Sequence, residues 1–205
     1  MSLSIGAVVL AAGMAERMGK QKLLLPLEGK PVLTYVLEVM AAVSFAKRVV
    51  VIGEPQKTLT ALCLEQGLPS VFNENRQSGQ ASSVSLGLAQ LGAELDGVVF
   101  LQGDQPLLTE CLLLRLLERF EQLADPKAIV VPVYEGKLRS PVLFGAYWLP
   151  ELKLLQGDCG GKEVVRRHPE HVVTLSWAEP PVFADADTWE DYLRLQELLE
   201  TKSKE

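Results

Sequence analysis

The sequence predicts an α/β protein with a mostly parallel, Rossmann-like sheet that carries helices on both faces. Short, almost wholly apolar runs recur along the chain and cover residues 5–10, 49–52, 98–101 and 128–133. Continuous runs of Val, Ile and Leu of this length are typical of strands that are buried on both faces, as in a parallel sheet. Segments with helical periodicity separate the runs, and this alternation indicates right-handed crossover connections.

Three segments have the apolar spacing or the capping residues of a helix. Apolar side chains recur at intervals of three and four residues in the first two segments, at Leu33, Val36, Leu37 and Met40 and at Leu113, Leu116, Leu117 and Phe120. Pro31 suits the first turn of the earlier helix, because its missing N–H needs no partner there. Thr188 and Asp191 form a T-x-x-D capping pair, which predicts a last helix to about Glu200. We expect one domain over residues 1–205, with a frayed tail from about residue 201 to residue 205.

Composition and charge exclude several classes of partner. Lys and Arg total 20 against 26 Asp and Glu, which gives a net charge of −6. Such a surface does not attract nucleic acid by bulk charge, so any anion must be bound by a local site. No apolar run approaches the roughly 18 residues of a membrane helix, and the 3 cysteines include no C-x-x-C pair. We therefore expect a cytoplasmic protein with reduced thiols and with no nucleic-acid or membrane partner.

The loop after the first predicted strand has the features of a phosphate-binding site. It reads LAAGMAERMGKQK over residues 10–22 and combines small residues with three cations. Small residues let backbone N–H groups approach an anion, and Arg17 and Lys22 can neutralise its charge. The spacing of Gly13 and Gly19 differs from that of a Walker A loop, and the G-x-G-x-x-G fingerprint is absent. A glycine-rich turn with solvated cations is the structural alternative.

A carboxylate follows the third apolar run. Asp104 lies at the predicted carboxyl end of that strand, where ligands of open α/β sheets bind. Mg²⁺ is commonly held by one or two carboxylates together with phosphate oxygens, so Asp104 is a candidate metal ligand. The Gly103-Asp104-Gln105-Pro106 sequence equally favours a turn, and the residues alone leave both interpretations open.

Taken in order, these motifs resemble those of the MobA/MocA-like nucleotidyltransferases, which are similar to the wider glycosyltransferase-A-like family. The first match is LAAGMAERMGKQKLLLPLEGKPVL against LAAG-x-S-x-RMG-x-x-K-LL-P. Later matches are FN at 72–73, SGQASSVSLG at 78–87, GDQP at 103–106, RSPVLF at 139–144, GDCG at 157–160 and DADTWED at 185–191. The chain departs from the family at Ala15, where Ser is usual, and at Trp189, where Pro is common.

The resemblance implies a role for each matched residue. The implied nucleotide-binding residues are Leu10, Ala11, Ala12, Gly13, Arg17, Gly19, Lys22, Gly79 and Ser83. Lys22, Arg17 and Asp104 are the implied catalytic residues, and the cations among them hold the triphosphate. Mg²⁺ is the implied cofactor, bound by Asp104 and by Asp185, with Asp187 as the alternative second ligand. Asp158 and Arg139 are implied to bind the acceptor.

The same resemblance implies a nucleotide and an acceptor. Cytidylyltransferases of the family more often read LAAG and guanylyltransferases LAGG, and the methyl group of Ala12 takes room that a purine could use. The GDQP motif is also similar to the cytidylyl branch, so we expect CTP rather than GTP. The implied acceptor is the terminal phosphate of molybdopterin, which attacks the α-phosphorus in line, and a molybdenum enzyme would receive the product.

Three alternatives remain open at this point. The chain could be a GTP-dependent guanylyltransferase for the same cofactor, or it could act on another phosphorylated acceptor such as a sugar or polyol phosphate. From a different class, it could be a non-catalytic chaperone that binds the molybdenum cofactor. Ala15 is the only residue that favours the chaperone, since Lys22 and Asp104 are both present.

Overall fold

The structure is a computed structural model that describes residues 3–14, 21–92 and 94–202. Its strands are β1 (Ile5–Ala11), β2 (Pro26–Leu27), β3 (Lys30–Pro31), β4 (Lys47–Ile52), β5 (Ser70–Phe72), β6 (Gly97–Gln102), β7 (Ile129–Tyr134), β8 (Lys137–Leu138), β9 (Val142–Gly145) and β10 (Val172–Ser176). Its α-helices are α1 (Val32–Ala42), α2 (Gln56–Glu65), α3 (Gln80–Leu91), α4 (Glu110–Leu123), α5 (Leu149–Lys153), α6 (Gly161–Arg167) and α7 (Trp189–Lys202). Within these ranges no helix has the length and apolarity needed to cross a membrane.

The main sheet is mostly parallel, as the apolar runs predict. Its strand order is β10-β7-β9-β6-β1-β4-β5, and β8 pairs with β7. Strand β1 runs parallel to both β4 and β6, while β9 is antiparallel to β6 and β7. Because β1, β4 and β6 are parallel neighbours, their carboxyl ends meet at one edge of the sheet, and the loops that follow them lie side by side.

Helices cover both faces of the sheet, which confirms the predicted layer arrangement. Along β1, Val9 packs with α1, α2 and α4 on one face, whereas Val8 packs with α3, α5 and α6 on the other. Close packing on the second face depends on Gly87 of α3, where a Cβ atom would lie 2.6 Å from the side chain of Val8. Both faces of β1 are therefore dry, as its unbroken apolar run indicates.

The three predicted helices are present. Helices α1 and α4 contain all the residues of the first two apolar patterns, and Pro31 directly precedes α1. At the start of α7 the Asp191 N–H donates to Thr188 Oγ1 at 3.1 Å, and the Thr188 N–H donates to Asp191 Oδ2 at 3.0 Å. This reciprocal cap confirms the T-x-x-D interpretation. Helix α7 continues to Lys202, beyond the predicted end at Glu200, and residues 203–205 lie outside the described part of the chain.

Candidate active site

A cavity of about 450 Å³ opens where the carboxyl ends of β1 and β6 meet. Every predicted site residue that the structure describes lines it: Leu10, Ala11, Ala12, Gly13, Lys22, Gly79, Ser83, Asp104, Arg139, Asp158 and Asp185. Arg17 and Gly19 lie outside the described residues, as does Ala15. Segments that are far apart in the sequence thus form one cavity, at the edge of the sheet where α/β proteins bind ligands.

Lys22 connects the first loop to the acidic side of this cavity. Its Nζ donates hydrogen bonds to Asp104 Oδ2 and, at 2.5 Å, to Asp187 Oδ1. Burial by itself would lower the pKa of Lys22, but the carboxylates of Asp104 and Asp187 outweigh it and raise that pKa. Lys22 is therefore an ammonium ion at neutral pH, held beside two carboxylates.

A third carboxylate, Asp185, joins this cluster. The Ala186 N–H donates to the backbone oxygen of Asp104 at 3.1 Å, which fixes the segment before α7 beside the end of β6. Burial, together with repulsion from Asp104, Asp187 and Asp191, raises the pKa of Asp185 to about 6, although Lys22 opposes the shift. The cluster thus carries more negative charge than Lys22 can balance.

This donor set fits a divalent cation that is shared with a phosphorylated ligand. Among residues 3–14, 21–92 and 94–202, no group of three or more His, Cys, Asp or Glu side chains is arranged to hold a metal ion by itself. Mg²⁺ does not require such a cage, since it commonly uses one or two carboxylates and takes its other ligands from phosphate oxygens and water. Asp104 and Asp185 can supply those carboxylates.

The start of α3 presents one hydroxyl group to the cavity, that of Ser83. The buried Asn73 amide Nδ2 donates to Ser82 Oγ and to Ser83 Oγ, each at 2.9 Å. The Ser82 hydroxyl in turn donates a hydrogen bond to the backbone oxygen of Gly79 at 2.8 Å. Ser83 Oγ lines the cavity and has no acceptor among the described residues, so its proton is available to a ligand such as a base or ribose.

Gly79 brings two of the predicted segments into contact. Its φ of +92° lies in the region that favours glycine, and a Cβ atom there would lie 2.6 Å from the backbone nitrogen of Asp158. The Ala81 N–H also donates to the Gly157 oxygen at 3.1 Å. The loop that carries Asp158 is therefore held directly against the start of α3, which explains why Asp158 reaches the cavity.

Further cavity residues were absent from the sequence-based set. The polar ones are Arg76, Gln80, Gln102, Gln105, Ser140 and Lys162, and several apolar neighbours accompany them. Lys162 directly follows Gly160 and Gly161, so it repeats the combination of glycines and a cation found in the first loop and could have been proposed from that signal. Arg76 had no comparable signal; it lies in a single 3-10 turn over residues 76–78, three residues before Gly79.

Comparison with known families is consistent with this geometry. The model of the MobA-like NTP transferase domain matches residues 7–172. The chain belongs to this family. The match includes the first loop, the start of α3, Asp104, Arg139 and Asp158, whereas Asp185 and Asp187 follow it. The chain therefore contains an NTP-transferase domain over most of its length.

The chain matches different shares of two curated relatives. The bifunctional protein GlmU of Rhizorhabdus wittichii is 34% identical over 128 residues, which are 61% of this chain and 28% of GlmU. The chain thus spans less than a third of that relative. The purine catabolism protein PucB of Bacillus subtilis is 30% identical over 169 residues, 78% of this chain and 79% of PucB.

A solved structure confirms the fold over nearly the whole chain. Rv0371c of Mycobacterium tuberculosis superposes with a TM-score of 0.81 at 29% identity, covering 96% of this chain and 99% of its own. A second structure of Rv0371c is a complex with manganese, and it superposes with a TM-score of 0.77. The nucleotidyltransferase fold predicted from the sequence is therefore confirmed.

Proposed function

We propose that this nucleotidyltransferase transfers CMP from CTP to the terminal phosphate of a molybdopterin-type acceptor and releases pyrophosphate. The observation that carries the choice of base is Ala12, which lines the cavity with only 5% of its surface exposed. Its backbone packs against Gly53, where a Cβ atom would lie 3.0 Å from the Ala12 oxygen. The backbone at Ala12 therefore has little room to move away from the cavity. Its methyl group stays in place there and favours a pyrimidine over the larger purine.

The proposed reaction is a direct transfer of CMP between two phosphate groups. An oxygen of the acceptor phosphate attacks the α-phosphorus of CTP, the bond from that phosphorus to its bridging oxygen breaks, and the electron pair leaves with pyrophosphate. A phosphate acceptor is already ionised at neutral pH, so no general base is needed. The protein accelerates such a step by positioning the two substrates and by stabilising charge.

The charged side chains divide this task. We assign Lys22 to the triphosphate. Arg17, which lies outside the described residues, is the second cation proposed to bind the triphosphate. Asp104 and Asp185 are the proposed Mg²⁺ ligands, with Asp187 as the alternative to Asp185. When bound, the metal ion neutralises charge on the phosphates as the new bond forms. The manganese complex of the similar Rv0371c supports a divalent ion in this fold.

The acceptor is assigned to the side of the cavity formed by Arg139 and Asp158. The guanidinium group of Arg139 suits an anionic group of the acceptor, because its N–H groups match the spacing of two oxygen atoms. Lys162 lines the same cavity and adds a second cation there. The family resemblance supports molybdopterin as the acceptor, and the product would then pass to a molybdenum enzyme.

Pyrophosphate release tests this function directly. The purified protein is incubated with Mg²⁺ and molybdenum-loaded pterin, in parallel with CTP, GTP, ATP and UTP. We expect release with CTP, and we expect Ala12→Gly to gain activity with GTP because it removes the methyl group. Release with GTP alone would overturn the base assignment, and release only with a sugar or polyol phosphate would overturn the acceptor. Pterin binding without any release would indicate a chaperone.

A further inference from the structure

A second cavity of about 450 Å³ adjoins the active site. Arg139, Phe183 and Asp185 line both cavities and so form the wall between them. A molecule whose reacting phosphate lies near Asp185 can therefore extend into the second cavity. Nothing in the transfer step itself requires this additional space.

The second cavity combines aromatic and cationic groups. The rings of Tyr134 and Phe183 lie with their centroids 6.1 Å apart and their planes tilted by 35°. Arg139 enters from the segment after β8, and Arg194 enters from α7. Leu198 completes the apolar side of the lining.

The carboxylates of this cavity outside the metal cluster have partners of their own. Glu135 accepts a hydrogen bond from the Tyr134 hydroxyl at 2.9 Å. Asp191, which caps α7, accepts one from the Thr188 hydroxyl at 2.6 Å. The hydrogen bond to Glu135 raises the pKa of Tyr134, and the charges of Arg139 and Arg194 oppose this rise. Both guanidinium groups thus act electrostatically on the same phenol oxygen.

The two arginines, by contrast, have no carboxylate partner among the residues that the structure describes. Within the described ranges neither forms an ion pair with a carboxylate. The Nε of Arg139 is also buried and has no hydrogen-bond acceptor there. An unpaired buried donor is unfavourable, and in a native protein it calls for an explanation such as a bound ion or water.

We propose that the second cavity is a subsite for an oxyanion of the acceptor, remote from its reacting phosphate, and that Arg194 and Arg139 bind it. The oxyanion is a phosphate or carboxylate group, and the rings of Tyr134 and Phe183 flank the rest of the acceptor. This inference rests on the proposed transfer to a phosphorylated acceptor and extends it to specificity. Acceptors with a second anionic group are the preferred class, and a pterin whose single phosphate reacts would leave the subsite without its oxyanion.

Inorganic phosphate tests the subsite without turnover. The side-chain Nε–H signals of Arg139 and Arg194 are followed by NMR while phosphate is added to the metal-free protein. We expect both signals to shift with one shared dissociation constant, and Arg194→Gln to weaken that binding about tenfold, since it removes charge-assisted hydrogen bonds. Arg166→Gln is the matched control, because Arg166 pairs with Glu163 and lines neither cavity. Absence of a shift at Arg194, or equal binding by Arg194→Gln, would overturn the subsite.

Kinetics with the active protein separates this inference from the proposed function. We expect Arg194→Gln to raise KM for the acceptor about tenfold, with kcat and KM for the nucleotide unchanged. If the wild-type protein releases pyrophosphate and Arg194→Gln has an unchanged acceptor KM, only the subsite is wrong. If no nucleotide supports release, the proposed function is wrong, while the phosphate titration still decides the subsite.

Discussion

The two sides of the active-site cavity are built differently. The nucleotide side follows neighbouring parallel strands, with residues 10–14 directly after β1 and Asp104 directly after β6. The acceptor side consists of segments that lie outside such strand ends: Arg139 after β8, Asp158 before α6 and Asp185 before α7. The ends of parallel strands therefore position these nucleotide-side residues, whereas contacts with other segments hold most of the acceptor side.

Backbone hydrogen bonds fix each segment of the acceptor side. The Arg139 N–H donates to Pro132 of β7 at 2.8 Å, the Ala186 N–H donates to Asp104 at 3.1 Å, and the Ala81 N–H donates to Gly157 at 3.1 Å. The comparison indicates that changes on the nucleotide side alter chemistry, whereas changes on the acceptor side first alter the placement of whole segments.

The largest effect is expected at Asp104, where the two sides meet. Asp104→Ala removes a proposed metal ligand and an ion-pair partner of Lys22, so turnover should fall by about a thousandfold or more. Pyrophosphate release measures the loss, and circular dichroism checks that the variant is folded. Asp125→Asn is the control, because Asp125 lies in an exposed turn after α4 and outside both cavities. Near wild-type turnover in Asp104→Ala would show that the metal assignment is wrong.

A smaller effect is expected where α3 contacts the acceptor loop. Gly79→Ala places a methyl group against the backbone of Gly157 and Asp158, so we expect a loss of about 3 kcal/mol in the free energy of unfolding. Gly29→Ala is the matched control, since Gly29 also has a positive φ, +84°, but has no atom within 4 Å of the added Cβ. Its loss should be about 1 kcal/mol. Equal losses in urea unfolding would mean that the contact between the two segments contributes nothing.

The smallest effect concerns Asp185 and depends on pH. Its pKa is raised from 3.8 to about 6 in the folded protein, so between these values the folded state binds more protons than the unfolded state. Stability of the metal-free protein therefore falls as pH rises through this window. Asp185→Asn should be more stable than the wild type at pH 7.5 by about 1 kcal/mol, a value reduced for partial solvent exposure, and equally stable near pH 4. Urea unfolding in EDTA measures both; a less stable variant at pH 7.5 would contradict the burial and repulsion inferred here.

The same division explains what the sequence could predict. β1, β4, β6 and β7 are buried on both faces for most of their length, so their apolar runs identify them, and Asp104 follows from its position after β6. By contrast, β10 is half exposed and β9 has only four residues, and neither carries a strong periodic signal.

The second cavity lay beyond sequence-based prediction for a related reason. Arg194 lies on a polar face of α7, and such a face is normally predicted to be exposed to solvent. Arg139 precedes β9. The packing of α7 against a cluster that includes Leu27 and Val32 places Arg194 in this cavity. The motif resemblance supplied Arg139, Asp158 and Asp185, whereas propensity and spacing alone could not have placed them in one cavity with Lys22.

A crystal structure with Mn²⁺ and a non-hydrolysable CTP analogue would locate both proposed ligands, because the anomalous signal of manganese identifies the ion without reference to activity. We expect a peak bound by Asp104 and Asp185, with the triphosphate at Lys22 and the cytosine beside Ala12 and Ser83. A manganese peak away from both carboxylates, or a triphosphate that does not contact Lys22, would contradict this expectation.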